Sequence, residues 1–459
     1  MNQVIESSFR DRCGFLFVSD NTIYRQVDRC WRDEFDFFID SKLYKTLTEK
    51  GLLIPHEEVD LAGALTSDAY KILKPVQIPF ISYPYEWAFS QLKDAALNTL
   101  EIQIEAMRRG MTLKDASAYN VQFLNGKPIF IDTLSFKKLK PGKPWDAYRQ
   151  FCQHFFAPLT LMSKVDCRLS SLSRIYIDGV PLDLAAKLLS SVERFSFPSL
   201  VHIFMHSKAI IKYGSNPDSA RKKGSMGRYG LQGLVENLKS AIERLKWQPS
   251  GTQWAEYYQA TNYSDEAMNR KMGLLEVFVK AIEPRPKLAL DLGANDGTYS
   301  RILGKHCNSV ISADIDHAAV EKNYLRVKTD ADKNIYPIVL DIGNPSPDIG
   351  WANLEREAFF KRKKFDLVVS LALIHHLAIS NNVPMKKVAR FFHGICSYLI
   401  IEFVPKEDSQ VQMLLSTRKD IFPDYNLSIF EHEFSQYFDI LKSEKVTGSY
   451  RTMFLLGRK

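Results

Sequence analysis

The stretch LDLGANDGTYS (290–300) decides the fold of the C-terminal half of the chain. It continues an apolar run, KLALDL, and then places Gly293, Asn295 and Gly297 at alternate positions. Glycine adopts left-handed backbone conformations without strain, and asparagine adopts them more readily than most other residues. The stretch therefore predicts a β-strand, a tight turn and a helix that begins near Thr298.

Strand-like and helix-like segments alternate from this point to the C-terminus. Further apolar runs occur at 309–315, 335–342, 365–373 and 398–404. Near-continuous apolar strands separated by helices indicate a parallel sheet covered on both faces. The last two runs, FDILKSEKV and RTMFLLGRK, are joined by a short turn and predict an antiparallel pair. The predicted fold class is α/β, a Rossmann-like doubly wound sheet that ends in an antiparallel hairpin.

Length and composition indicate a globular protein of more than one domain. The chain has 459 residues, 45% hydrophobic and 25% charged, which is too long for one ordinary core. No run reaches the roughly 20 apolar residues of a membrane span, and the N-terminus has charges where a signal peptide needs an apolar stretch. The six scattered cysteines form no C-x-x-C pair, which argues against a zinc site or a disulfide framework. These features predict a cytoplasmic protein without a membrane partner.

A Gly/Ser-rich basic segment, YGSNPDSARKKGSMGRYG (213–230), marks the predicted domain boundary. The segment after it has apolar residues on one helical face and predicts a connecting helix. We therefore divide the chain into an N-terminal domain (1–212), a linker with a connecting helix (213–250) and a C-terminal domain (251–459). The net charge of +8 could attract nucleic acid, but the basic runs at 221–223 and 361–364 contain no interleaved aromatic residues.

Three acidic residues lie at the ends of successive predicted strands. Asp291 begins the glycine motif, where a carboxylate suits an ammonium group better than a pyrophosphate. Asp314 lies 21 residues after Gly293, a spacing at which a carboxylate can accept both ribose hydroxyls. Asp341 follows the third strand, where an acidic group could meet an adenine amino group. Ligands of such sheets bind at these strand ends.

Together these residues resemble the class I S-adenosylmethionine-dependent methyltransferases, over about residues 250–459. The resemblance implies that Asp291 and the Gly293–Gly297 turn hold the methionine part of S-adenosylmethionine, that Asp314 binds ribose and that Asp341 lies near adenine. It also implies that the segment 254–271 closes over the cofactor. Candidate contacts in that segment are Tyr258, Tyr263 and Lys271.

The candidate catalytic residues follow the fourth and fifth strands. His375 and His376 follow the fourth, where a histidine could take a proton from an acceptor hydroxyl or could simply bond to backbone. Glu402 and Asp408 follow the fifth and could line the acceptor pocket. The family's Asn/Asp-Pro-Pro-aromatic motif does not occur at 370–377, which disfavours nucleobase amino groups and glutamine as acceptors. We expect a small-molecule acceptor.

The N-terminal half contains a second pattern, Asp115-x4-Asn120 with Asp132 twelve residues further on. It follows an amphipathic segment at 90–110 and resembles the protein-kinase-like fold. The resemblance implies a catalytic Asp115 and a Mg²⁺ site at Asn120 and Asp132, with ATP as cofactor. It also implies a regulatory helix within 34–53 and an interlobe strand and hinge at 78–87.

The N-terminal half also departs from the kinase pattern. No G-x-G-x-x-G loop precedes residue 30, and Leu113-Lys114 replaces the histidine-containing sequence before the catalytic aspartate. Arg25 lies where a phosphate-contacting lysine is expected. A degenerate kinase-like domain that binds a nucleotide or the acceptor is therefore favoured over an active kinase.

The full chain also resembles a bacterial family of two-part methyltransferases sometimes labelled nodulation host-specificity proteins, which implies no particular substrate. We therefore expect a two-domain methyltransferase whose N-terminal domain recognises or modifies the acceptor. Three alternatives stay open: a bifunctional kinase and methyltransferase, a scaffold that binds nucleotide or cofactor without turnover, and an RNA methyltransferase. The sequence does not predict the methylated atom or the oligomeric state.

Overall fold

The protein folds into two units, Met1–Gln248 with Asp348–Glu357, and Pro249–Pro347 with Ala358–Lys459. The structure, a computed structural model, describes residues 3–205, 226–249 and 265–459, and only the backbone of 265–267. The connecting helix and the short segment 348–357 both belong to the first unit, whereas the sequence-based division placed them in the linker and the C-terminal domain. None of the helices in the described ranges is both long and apolar enough to span a membrane.

An antiparallel sheet begins the first unit. Its strands are β1 (Gln3–Val4), β2 (Gly14–Ser19), β3 (Thr22–Asp28), β4 (His56–Val59) and β5 (Ala69–Pro75). They are arranged in the order β1-β2-β3-β5-β4. Two helices, α1 (Arg32–Asp40) and α2 (Leu43–Glu49), lie between β3 and β4 in the chain, separated at Lys42, whose φ is +61°. The predicted single helix within 34–53 is therefore two short helices.

The rest of the first unit is mainly helical. The long helix α3 (Phe89–Arg108) is followed by β6 (Met111–Leu113), β7 (Val121–Leu124), β8 (Lys127–Phe130) and β9 (Phe136–Lys138). β6 pairs with β9 and β7 pairs with β8, both antiparallel. The other α-helices in the described part of this unit are α4 (Tyr148–Phe151), α5 (Ala157–Lys164), α6 (Leu172–Ile175), α7 (Leu182–Leu188), α8 (Phe197–Ser199) and α9 (Arg228–Arg244).

One predicted strand of the first unit is wrong. The segment 78–87 contains no strand; it forms an extended loop with a 3-10 turn at Pro84–Glu86, and the strand before it is β5. The β-like composition of IPFISYPYEW is explained by burial instead, because Phe80, Tyr83, Tyr85 and Trp87 all lie in the core. Two prolines in the segment also lack the N–H that a strand ladder needs.

The connecting helix α9 packs against α3. Its predicted apolar face is buried at Leu231, Val235, Leu238 and Ile242. Lys239 forms an ion pair of 2.7 Å with Glu101 of α3, and the Lys93 ammonium donates to two carbonyls at the end of α9, Glu243 O and Leu245 O. The helix is therefore part of the core of the first unit.

The second unit is built on a seven-stranded sheet. Its strands are β10 (Leu288–Leu292), β11 (Ser309–Asp314), β12 (Ile335–Val339), β13 (Phe365–Ser370), β14 (Cys396–Phe403), β15 (Phe438–Lys445) and β16 (Thr452–Arg458). Their order is β12-β11-β10-β13-β14-β16-β15. β10 to β14 run parallel, and β16 is antiparallel to both β14 and β15. The predicted doubly wound α/β sheet with a terminal hairpin is confirmed for this half.

Helices cover the sheet of the second unit. They are α10 (Asp265–Lys280), α11 (Thr298–His306), α12 (His317–Asp330), α13 (Phe359–Arg362), α14 (Met385–Ile395), α15 (Ser409–Ser416) and α16 (Leu427–Ser435). β11 is buried along its whole length, as expected for an inner parallel strand. β15, by contrast, is exposed after Phe438 and carries the charged residues Asp439, Lys442, Glu444 and Lys445. Charged side chains help to keep an edge strand from pairing with other chains.

Candidate cofactor and active sites

The glycine motif forms the predicted turn between β10 and α11. Gly293, Asn295 and Gly297 all have positive φ, at +76°, +50° and +77°. Asn295 can replace a glycine here because asparagine tolerates the left-handed region. A Cβ on Gly297 would lie 2.3 Å from Asn323 Oδ1, so a side chain is excluded there. The turn thus leaves backbone amides close to the ends of β10 and β11.

Asp291 lies at the end of β10 with 2% of its surface exposed. Ser300 Oγ of α11 donates a hydrogen bond of 2.6 Å to its carboxylate. Burial raises the pKa of Asp291 to about 7, and the nearby charge of Asp314 adds to the shift. Since no cation among the described residues forms a direct ion pair with Asp291, an ammonium group of a ligand would stabilise its ionised form.

Asp314 ends β11, directly beside the turn. One carboxylate oxygen accepts from Asn295 N at 2.8 Å and the other accepts from Asp316 N at 2.9 Å. Burial raises its pKa to about 6, although these backbone hydrogen bonds oppose the shift. Asp316 caps α12 by accepting from Ala318 N, as its position suggests. Asp341 lies two residues after β12 and accepts from Gly343 N.

A buried network of charged side chains joins α10 to the ends of β14 and β16. Lys271 Nζ lies 2.7 Å from Glu402 Oε2, and Ala372 N donates to the same oxygen at 2.8 Å. Arg451 Nη1 lies 3.7 Å from Glu402, and the Arg451 guanidinium binds Asp408 through two hydrogen bonds. Burial favours the neutral form of Glu402, but Lys271 and Arg451 outweigh it and lower its pKa. Glu402 is therefore ionised.

His375 and His376 follow β13 at the start of a helical segment, which continues as a π-helical turn at His376–Ser380. His375 is 1% exposed, and neither of its ring nitrogens has a hydrogen-bond partner among the described residues. Burial lowers its pKa well below the usual range, and His376, Arg451 and Lys271 lower it further. Ala372, three residues earlier, has a φ of +52°, which is a strained conformation for a residue with a side chain. His375 is thus a neutral, buried donor and acceptor.

The remaining predicted cofactor contacts divide into two groups. Lys271 is described, and its ammonium lies 5.2 Å from the centre of the Tyr299 ring as well as next to Glu402. Tyr258 and Tyr263 lie outside the described residues, as does most of the segment 254–271.

The structure brings the three predicted residues of the first unit together. Asp132 pairs with Arg25 of β3, with Nη1 and Oδ1 2.8 Å apart. Ser135 Oγ bonds to Asp132 and accepts from Asn120 Nδ2 at 3.3 Å. Burial raises the pKa of Asp115, and the charge of Asp132 raises it further. Within the described ranges, no group of three or more His, Cys, Asp or Glu side chains is arranged to hold a metal ion.

An apolar cavity lies next to this cluster. Its polar lining comes from Arg25, His56, Gln77 and Thr133, and its apolar side chains include Leu16, Ile23, Ile54, Leu73, Ile78 and Ile131. Thr133, directly after Asp132, is 5% exposed, and its hydroxyl has no hydrogen-bond partner in the described part of the chain. The cavity therefore has a mainly apolar lining with a few charged and hydrogen-bonding groups in it.

Sequence reasoning missed two arginines. Arg451 completes the Glu402 network from the position directly before β16, 43 residues from Asp408 in the chain. The available signal was a single arginine next to an apolar strand. Arg356 belongs to the first unit and lies over the Tyr119 ring, with its guanidinium carbon 4.2 Å from the ring centre. Nothing in its local sequence indicates this position.

The strand order and the left-handed turn after β10 define the second unit as a Rossmann-like α/β unit. No protein-family model matches the chain. The nodulation protein NoeA of Rhizobium meliloti (strain 1021) is 33% identical over 463 residues, which cover 99% of this chain and 96% of that protein. The chain belongs to the family of the nodulation protein NoeA.

Solved structures with a similar fold include three methyltransferase chains. The N-methyltransferase NodS of Bradyrhizobium japonicum WM9 is 12% identical, covers 42% of this chain and 98% of its own, and has a TM-score of 0.32. Magnesium protoporphyrin IX methyltransferase of Synechocystis PCC 6803 with bound S-adenosylhomocysteine is 15% identical. The match covers 45% of this chain and 92% of that chain, and the TM-score is 0.33. WbdD, described as a bifunctional kinase-methyltransferase, is 14% identical. The match covers 47% of this chain and 45% of the WbdD chain, and the TM-score is 0.31. With TM-scores this low, the likeness carries no conclusion about this chain.

Proposed function

We propose that the second unit is a methyltransferase that uses S-adenosylmethionine and acts on a small-molecule acceptor. The observation that carries this proposal is the pair of buried carboxylates, Asp291 and Asp314, beside a left-handed turn. Burial raises the pKa of both, so a ligand with an ammonium group and ribose hydroxyls would stabilise their ionised forms. A nicotinamide dinucleotide would instead bring a pyrophosphate to a turn that begins with a carboxylate.

The residues around the turn fit the parts of this cofactor. Asp291 and the backbone of Gly293, Asn295 and Gly297 would hold the methionine part, and Asp314 would accept from the ribose hydroxyls. Asp341 would lie near adenine. Lys271, Tyr258 and Tyr263 remain proposed contacts from the segment before β10. In this arrangement Lys271 would also position Glu402, with which it forms a buried ion pair.

For the proposed methyl transfer, the main tasks of the protein are to orient the acceptor and to exclude water. When bound, S-adenosylmethionine supplies a methyl group that its sulfonium has already activated. The chain has to align the acceptor and keep water away. His375, neutral and buried, can accept a hydrogen bond from an acceptor hydroxyl or amine and so orient its lone pair. Glu402 accepts from Ala372 N and thereby holds the backbone just before the helical segment that carries both histidines.

Incubation of the full chain with methyl-labelled S-adenosylmethionine and fractionated cell extract tests the methyltransferase proposal. We expect label to enter a low-molecular-mass fraction, and the Asp291→Asn variant to abolish the transfer, since the ammonium group then loses its counter-charge. The exposed Asp439→Asn variant serves as the matched control. Cofactor binding without transfer to any fraction would favour the scaffold alternative, and label in RNA would favour the RNA methyltransferase.

We further propose that the first unit has a kinase-like fold that binds ATP with Mg²⁺. Three observations support this: the strand order β1-β2-β3-β5-β4 with helices after β3, the meeting of Asp115, Asn120 and Asp132, and the apolar cavity beside Arg25. An amide and a carboxylate are suitable Mg²⁺ ligands, so Asn120 and Asp132 would hold the metal. Asp115 could accept a proton from a hydroxyl, in which case the protein would be a bifunctional kinase and methyltransferase.

Calorimetry with ATP in the presence and absence of Mg²⁺ checks the nucleotide site. We expect ATP to bind about tenfold or more tightly with the metal, because Mg²⁺ offsets phosphate charge next to Asp132. The Asp132→Ala variant should lose this Mg²⁺ dependence. The Asp68→Ala variant, which removes an exposed carboxylate of the same unit, should retain it. Equal ATP affinity with and without Mg²⁺ in the wild-type chain would contradict the proposed metal site.

A further inference from the structure

The segment 348–357 forms a closed hairpin that belongs to the first unit although its neighbours in the chain belong to the second. Ile349 and Arg356 form an antiparallel bridge with two backbone hydrogen bonds, of 3.0 and 3.1 Å. Glu355 turns back and accepts from Trp351 N at 2.9 Å. Gly350 has a φ of +89°, and a Cβ there would lie 2.5 Å from the Glu355 side chain. The segment 348–357 is therefore a hairpin with its own hydrogen bonds, and it is not an irregular connection between β12 and β13.

Two loops of the first unit hold this hairpin. Arg10, in the loop between β1 and β2, donates two hydrogen bonds of 2.8 and 2.9 Å to Glu355, whose side chain is 1% exposed. Such a bidentate pair is the strongest common ion-pair geometry. On the other side, Glu357 N donates to the Tyr83 hydroxyl at 3.1 Å. The hairpin is thus anchored to the sheet and to the helical part of the same unit.

Arg356 connects the hairpin to the loop that carries the proposed nucleotide-site residues. Its guanidinium lies over the ring of Tyr119, the residue directly before Asn120 and four residues after Asp115. One terminal nitrogen donates to Glu355 O at 2.7 Å, and Nε is buried without a hydrogen-bond partner among the described residues. Within those residues, Arg356 forms no ion pair with a carboxylate. Stacking on Tyr119 holds the guanidinium in place, and its charge interacts with that of the neighbouring Glu355 without a direct ion pair among the described residues.

We propose that Arg356 binds an anionic group, a phosphate or a carboxylate, of the acceptor that the first unit presents to Asp115. The inference rests on the proposed nucleotide site and adds the chemical class of its second ligand. An arginine that stacks on an aromatic ring and lacks a carboxylate partner is preorganised to bind such a group through two parallel hydrogen bonds. The docked hairpin supplies this arginine from the part of the chain between β12 and β13.

The test is titration of the full chain with inorganic phosphate and, separately, with succinate, followed by calorimetry. We expect saturable binding of at least one anion, weakened about tenfold or more in Arg356→Ala because a charge-assisted hydrogen bond pair is lost. Arg356→Lys should recover part of the affinity, since it keeps the charge but not the planar fork. Lys363→Ala removes one exposed positive charge and should leave binding unchanged.

Unchanged anion affinity in Arg356→Ala, an equal loss in Lys363→Ala, or the absence of saturable binding to the wild-type chain would each overturn the inference. Unfolding of Arg356→Ala by urea shows whether the variant is folded; if it is not, Arg356→Lys and Arg356→Gln give the comparison. ATP binding is measured in the same samples. Loss of anion binding with ATP binding retained supports the inference, whereas anion binding at Arg356 without any ATP binding would refute the nucleotide site alone.

Discussion

Asp314→Ala is expected to weaken the binding of S-adenosylmethionine by roughly a hundredfold or more. A hydrogen bond to an ionised group contributes about 1.5–3 kcal/mol, and the proposed contact to the ribose hydroxyls involves two of them. The carboxylate is already buried at the end of β11, so its desolvation is largely complete before the ligand arrives. Calorimetric titration with S-adenosylhomocysteine, which is stable during the measurement, gives the affinity directly.

The Asp314 side chain also accepts from Asn295 N and Asp316 N, so alanine could disturb the turn itself. Asp314→Asn keeps the shape of the side chain and removes its charge. This variant therefore separates the loss of the charged contact to the ribose from a disturbance of the turn. Asp316→Asn is the matched control, because Asp316 lies two residues further on and caps α12. Cofactor affinity that is unchanged in Asp314→Ala would show that the cofactor site is assigned wrongly.

Glu402→Gln is expected to lower the free energy of unfolding by about 3–5 kcal/mol, since it leaves the buried Lys271 ammonium without its closest counter-charge. Lys271 and Arg451 are 4% and 3% exposed at the side chain and both face Glu402. Neither cation can be rehydrated without opening the core between α10, β14 and β16. Unfolding by urea, monitored by circular dichroism, measures the change.

A double variant tests whether the loss comes from the unpaired charge. Lys271→Met combined with Glu402→Gln removes both members of the closest ion pair and should be more stable than Glu402→Gln alone. Glu276→Gln provides the control, because Glu276 pairs with Lys280 on the exposed face of the same helix α10 and should have little effect. If Glu402→Gln is no less stable than Glu276→Gln, the buried network does not stabilise the unit.

Local patterns predicted the elements near the proposed cofactor site well. The turn at Gly293–Gly297 requires residues that tolerate positive φ, and α11 begins at Thr298 as expected. Apolar runs predicted the inner strands because burial on both faces leaves little room for polar residues. These features depend on interactions between residues close in the chain.

Long-range pairing could not be predicted in the same way. Lys271 and Glu402 are 131 residues apart, and each had been assigned a separate role. The segment 78–87 has a β-like composition, but its aromatic residues are buried in a loop. In both cases the side chains contact residues that are distant in the chain, and a short sequence pattern does not predict such contacts.

Short stretches of sequence were enough to predict the α/β alternation of the second half, the left-handed turn and the two acidic residues at the strand ends. They did not predict that Arg451 and Lys271 both face Glu402, that Arg25 pairs with Asp132, or that the 348–357 hairpin packs with the first unit. Backbone conformation depends largely on neighbouring residues, whereas buried charges pair with the partners that the completed fold brings within hydrogen-bonding distance.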